Sequence, residues 1–131
     1  MLRVASSPHE ALKRVYGYDS FRGVQLEAIE AAVAGRDVFV LMATGGGKSL
    51  TYTLPGVLSG RCVFVISPLV SLMQDQVLGL QERGLSACYL GSAQADASVW
   101  DRLAVSPYVS ATPEMASTLR FREAFVACDP C

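Results

Sequence analysis

The 131-residue sequence is poor in charge: Asp, Glu, Lys and Arg make up 18% of it, below the ~25% usual in soluble domains. Such a chain is expected to bury much of its surface, against its own core or against further domains. Nor is there an excess of either sign, with 11 basic and 12 acidic residues. That balance excludes nucleic-acid binding driven by bulk charge, so any such contact must be local and geometric. No apolar run reaches the length of a membrane span, and Met1 to Ser7 lacks the hydrophobic stretch of a signal peptide. The four cysteines, Cys62, Cys88, Cys128 and Cys131, do not resemble a secreted disulfide framework, and an intracellular protein is expected. A terminal Cys-x-x-Cys pair cannot supply four ligands to zinc. Repeats, low-complexity tracts and linkers are also missing, and the length suits one domain with one core.

What remains is an alternation of short apolar runs and longer amphipathic segments. Ser7-Pro8-His9-Glu10 has the form of a helix start, with a capping serine, a proline at the first helical position and a glutamate that can complete a capping box. The helix should end at Gly17. A second helix is expected from about Arg22 to Ala34, with Leu26, Ile29, Ala32 and Val33 on one face and Gly35 as its stop. Val38 to Met42, Cys62 to Ile66, Ala87 to Leu90, Tyr108 to Ala111 and Phe125 to Cys128 read as strands. Helices are expected from Lys48, from Pro68 to about Arg83, from Asp96 to Leu103 and from Pro113. This alternation predicts an α/β fold, a mainly parallel sheet with helices on both faces. Ligands of such sheets sit at the carboxyl ends of the strands.

Thr44-Gly45-Gly46-Gly47-Lys48-Ser49 stands between an expected strand and an expected helix, the setting of a phosphate-binding loop. Glycines allow the backbone to turn its N–H groups inward at phosphate oxygens, and the following helix adds the positive end of its dipole. Lys48 would reach the outer phosphates, and Ser49 would offer its hydroxyl to Mg2+. The general pattern places glycine at the position of Met42, so a glycine turn that binds nothing stays open as an alternative.

Four further segments accompany this loop: Tyr16 to Gln25, Ile66-Ser67-Pro68-Leu69-Val70-Ser71-Leu72-Met73-Gln74-Asp75-Gln76-Val77, Leu90-Gly91-Ser92-Ala93-Gln94, and Tyr108-Val109-Ser110-Ala111-Thr112-Pro113-Glu114. Taken singly, the first is an aromatic turn before a helix, which core packing would explain. The Ser-Pro and Thr-Pro-Glu stretches could be helix caps. In this order and spacing, from about Leu12 to Glu114, the five segments together resemble the RecQ family of superfamily 2 DNA helicases, and the Leu90-Gly91-Ser92-Ala93-Gln94 stretch looks most like its Werner-type members.

The resemblance implies a RecA-like P-loop NTPase lobe with ATP and Mg2+ as cofactors. It places adenine between Tyr18 and Arg22, with Gln25 bonding the base edge. Those residue types suit the task, since an aromatic ring and a planar guanidinium both stack on a π-face and a carboxamide can give and accept one hydrogen bond each. It implies that Ser67, Pro68, Thr112, Pro113 and Glu114, with Ser92 and Gln94, line the path of single-stranded or forked DNA, through hydroxyls and helix-start amides that suit a nearly neutral chain. It implies a second RecA-like lobe as partner, and a nuclear location in a eukaryote.

A complete motor of this kind also needs an Asp-Glu-Ala-His box and an arginine finger. This sequence has no Asp-Glu pair. By the resemblance, Asp129 after Phe125 to Cys128 would take the place of the magnesium-binding aspartate, with Pro130 where the catalytic glutamate belongs. The expectation is therefore the front part of a 3′→5′ DNA helicase, 1–131 being a partial ATP-binding domain that is inactive alone. Two alternatives stand beside it: a non-catalytic nucleotide-binding remnant, and an unrelated small P-loop kinase or ATPase.

Overall fold

The computed structural model describes residues 7–43, 47–90 and 108–128. They fall into two compact units divided between Arg61 and Cys62.

The first unit is helical. Helix α1 spans Pro8–Tyr16, and its start is the one its sequence predicts: the Ser7 hydroxyl accepts the N–H of Glu10 at 3.2 Å. It ends on Gly17 at φ 75°, whose N–H reaches the Lys13 carbonyl. Helix α2 spans Gln25–Val33 and begins three residues later than expected. Arg22 to Val24 instead form a turn in which the Gln25 N–H bonds the Arg22 carbonyl. The buried face of α2 is Gln25, Ala28 and Ile29, while Ala32 and Val33 are exposed. The buried face is thus displaced from the apolar stripe read from the sequence. Helix α3 spans Ser49–Ser59 and buries Leu50, Thr53, Leu54, Val57 and Leu58, with α1 and α2 both packed against it.

The run Val38 to Met42 is not a strand. Phe39 is 93% and Leu41 85% exposed. β-Propensity describes how well a residue fits a paired, half-buried surface. Among the described residues this run has no such partner.

The second unit is a parallel three-stranded sheet with helices. Strands β1 (Val63–Ile66), β2 (Ala87–Leu90) and β3 (Tyr108–Ala111) lie in the order β1-β3-β2. Val63 and Ala87 both pair with Tyr108, and Ile66 and Leu90 both pair with Ala111, so the three carboxyl ends are level. Helix α4 (Val70–Glu82) packs on β2 and β3 and buries Met73, Val77 and Leu80. It starts two residues later than the sequence predicts, because Leu69 is extended and its N–H is taken by the Ser67 hydroxyl at 3.2 Å. Short helix α5 (Pro113–Ala116) and α6 (Leu119–Cys128) complete the unit. The core is Cys88, Leu90, Val109, Ala111 and Phe121, with Phe64, Met115 and Ala116 against it. On the opposite sheet face, Gln74 of α4 reaches the Tyr89 hydroxyl, so helices cover both faces.

Phe125 to Cys128 is helical, not the expected fifth strand. Phe121 and Phe125 both lie on the Phe64 ring, at centroid distances of 5.6 and 4.8 Å. Residues i and i+4 are ~6 Å apart along a helix but ~13 Å apart along a strand, and only the helix brings both rings to one partner. Asp129 lies outside the described residues, and with the strand absent its assignment to magnesium loses its basis. The helix expected over Asp96 to Leu103 also lies outside them.

Candidate functional site

Three of the residues expected to hold a base come together in the first unit. Gly17, Tyr18, Asp19, Ser20, Arg22, Gln25 and Leu50 line a pocket of about 480 Å³. Gly17 turns the chain out of α1. Tyr18 then lies nearly parallel to Tyr16, with ring planes 18° apart and centroids 6.1 Å apart. Tyr18 is 52% exposed, which leaves ring surface for a ligand. Arg22 lies in the turn before α2 and is exposed.

Gln25 is the pivot. It is 2% exposed, and a buried carboxamide must find partners for both ends. Its Oε1 accepts the Arg22 N–H at 2.8 Å, and its Nε2 donates to the Gly47 carbonyl at 3.2 Å. The turn before α2 is thereby tied to Gly47. Gly47 has φ 79°, and a Cβ there would collide with Gln25 Nε2. Both facts require glycine at this position.

Lys48 immediately precedes α3 and Ser49 opens it. The Lys48 side chain is exposed, and among the described residues it has no acidic partner. Thr44, Gly45 and Gly46 lie outside the described residues, as do Ser92 and Gln94. Gly47, Lys48 and Ser49 thus give the end of the loop, where an open ammonium and a helix N-terminus adjoin a glycine turn. That set fits a phosphate group.

Two features of this pocket are not visible in the motifs. One is the Gln25–Gly47 bond. The other is the Lys13–Asp19 ion pair, 2.8 Å long. The hydrogen bond and charge of Lys13 hold the Asp19 carboxyl below its ordinary pKa. The signal for it was present in Gly17: a helix that stops on a left-handed glycine reverses direction and returns the chain toward its last turn.

In the second unit, the Ser67 and Thr112 loops meet at the carboxyl edge of the sheet. The Ser67 N–H bonds the Ala111 carbonyl at 2.9 Å, and the Thr112 N–H faces the Leu90 carbonyl at 3.4 Å, continuing the ladder by one residue. The Thr112 hydroxyl caps α5 by accepting the Met115 N–H, whereas the Ser67 hydroxyl accepts the Leu69 N–H in the turn before α4, each at 3.2 Å. Pro68, Pro113 and Glu114 are exposed, whereas Thr112 is buried. A hydroxyl that accepts one N–H still has its own proton to donate.

The family model for DEAD/DEAH box helicases matches residues 22–127. The chain belongs to that family. Its lobe is RecA-like, and the parallel sheet with helices described above is part of that α/β architecture. Among the relatives, the chain is 51% identical over 85 residues to the ATP-dependent DNA helicase Q-like SIM of Arabidopsis thaliana, covering 65% of this chain and 10% of that protein. It is 53% identical over 83 residues to the ATP-dependent DNA helicase RecQ of Haemophilus influenzae, covering 63% and 13%. With the ATP-dependent DNA helicase Q1 of Rattus norvegicus it shares 46% over 84 residues, covering 64% and 14%. The chain therefore spans roughly a tenth to a seventh of the length of these RecQ-type relatives. Membership in this family sets aside the unrelated small kinase. No helix among the described residues is long and apolar enough to cross a membrane.

Proposed function

We propose that this chain is the nucleotide-binding front part of the first motor lobe of a RecQ-type 3′→5′ DNA helicase, acting in DNA unwinding, recombination and repair. The observation that carries the reading is the Gln25 bridge, which joins a base-sized pocket to the last glycine of the phosphate loop. Adenine enters between Tyr18 and Arg22. Gln25 is the residue that would meet the base edge, since a carboxamide can both give and accept a hydrogen bond. Thr44, Gly45, Gly46 and Gly47 supply backbone N–H groups to the phosphates, with Lys48 as point charge. Magnesium, when bound, neutralises charge on the outer phosphates, and Ser49 is the residue that would hold it.

In the second unit, Ser67 with Pro68 and Thr112 with Pro113 and Glu114 form the proposed contact to single-stranded or forked DNA, together with Ser92 and Gln94. Their support is the level carboxyl edge on which the described loops stand. A second RecA-like lobe would close the nucleotide site. A protein acting on DNA is intracellular, and nuclear in a eukaryote.

Calorimetric titration of the 131-residue chain with ATP and Mg2+ tests the reading. Lys48→Ala should weaken binding at least about tenfold, the loss of one charge-assisted contact. Unchanged affinity would remove the phosphate loop from consideration. The same chain should show negligible ATP turnover with or without DNA, because it has no Asp-Glu pair to orient water. DNA-stimulated hydrolysis would overturn that part.

A further inference from the structure

The loop that carries Tyr18 is fastened from outside the pocket. Lys13 does this twice. Its carbonyl accepts the Gly17 N–H at 3.0 Å, and its ammonium binds Asp19 Oδ1 at 2.8 Å. The residues between, Gly17 and Tyr18, therefore form a short closed turn bound at both ends to one residue of α1. Within that turn Tyr18 is stacked over Tyr16. Lys13 itself does not line the pocket, whereas Tyr18 and Asp19 do.

From this geometry we infer that Lys13 is a positioning residue for nucleobase binding, strapping Asp19 so that Tyr18 is already placed as a stacking platform before a base arrives. The inference rests on the adenine reading given above. Its physical basis is preorganisation. A half-exposed tyrosine on the loop between α1 and α2 would otherwise lose rotamer and backbone freedom when the base lands, and that loss is subtracted from affinity. The strap fixes the loop beforehand. The pair is itself solvent-exposed, at 61% and 87% for the two side chains, so its effect is modest and screened by salt.

Because the strap acts on the base and not on the phosphates, ATP and inorganic tripolyphosphate separate it from a general loss of fold. Their affinities, both with Mg2+, are measured by calorimetry for the unaltered chain, for Lys13→Gln, and for the exchanged pair Lys13→Asp with Asp19→Lys. The expected result is a roughly two- to five-fold weakening of ATP in Lys13→Gln. Tripolyphosphate binding stays unchanged, ATP affinity recovers in the exchanged pair, and high salt erases the difference between Lys13→Gln and the unaltered chain. If the unaltered chain prefers ATP and Lys13→Gln keeps that preference in full, the strap has no role in binding. Equal weakening of both ligands would make Lys13 a residue of general stability and overturn the proposal. If the unaltered chain holds tripolyphosphate as tightly as ATP, the adenine reading fails first, and the strap falls with it.

Discussion

At the scale of single residues, Gly47 and Gly35 make an informative pair. Both have a left-handed backbone, φ 79° and 82°. A Cβ at Gly35 would meet open space, whereas one at Gly47 would strike Gln25. Gly35→Ala should therefore cost about 1–2 kcal/mol of backbone strain alone. Gly47→Ala should cost more and should also lower ATP affinity, since Gln25 can retreat only by giving up its bonds. Thermal unfolding of the two variants, with and without ATP, checks the contrast. Gln25→Leu keeps the bulk but leaves the Arg22 N–H and the Gly47 carbonyl without their partner, and a loss of about 1–3 kcal/mol is expected. The sign of the pH effect at Asp19 also follows from its position. A carboxyl whose folded pKa is lowered contributes stability that is complete above its unfolded pKa and is lost as pH falls through the folded one. ATP affinity should therefore show no contribution from the strap's titration between about pH 5 and 8, and a titration step for it in that window would contradict the ion pair.

At the scale of elements, α6 shows how a short apolar run misleads. Phe125-Val126-Ala127-Cys128 has four apolar residues in a row, and periodicity over four positions does not distinguish helix from strand. Phe64 decides the matter by receiving both Phe121 and Phe125. Phe121 is buried and Phe125 is not. Phe121→Ala should cost about 3–5 kcal/mol, and Phe125→Ala distinctly less, as denaturant unfolding of the chain would show. The caps are of a different kind. Thr112→Ala removes the acceptor for the Met115 N–H and should cost about 1 kcal/mol, whereas Thr112→Ser retains it. Comparing the DNA affinity of these two variants separates a hydroxyl that grips phosphate from one that only starts a helix.

At the scale of the whole molecule, the exposed run at Val38, Phe39 and Leu41 stands out, with the outer edge of β1 unpaired among the described residues. Large exposed apolar side chains and open strand edges promote association. The chain should self-associate in a concentration-dependent way. Replacing Phe39 and Leu41 by Lys should reduce this while leaving ATP affinity intact, and light scattering across a concentration series would measure it.

The sequence by itself determined what depends on neighbours in the chain. Ser7, Pro8 and Gly17 set the ends of α1, and Gly60 at φ 75° ends α3, because caps and left-handed turns are local chemistry. The apolar runs at Val63, Ala87 and Tyr108 became strands, and the five segments between Tyr16 and Glu114, taken together in their order and spacing, were enough to point to the helicase family. Tertiary structure decided what depends on partners distant in sequence. It left Val38 to Met42 unpaired, made Phe125 part of a helix, and buried Gln25 and not Ala32 on α2. Above all it joined Gln25 to Gly47, 22 residues away. A hydrogen-bond donor in the sequence specifies only that a partner is needed, and the packing of α2 against α3 supplies which one.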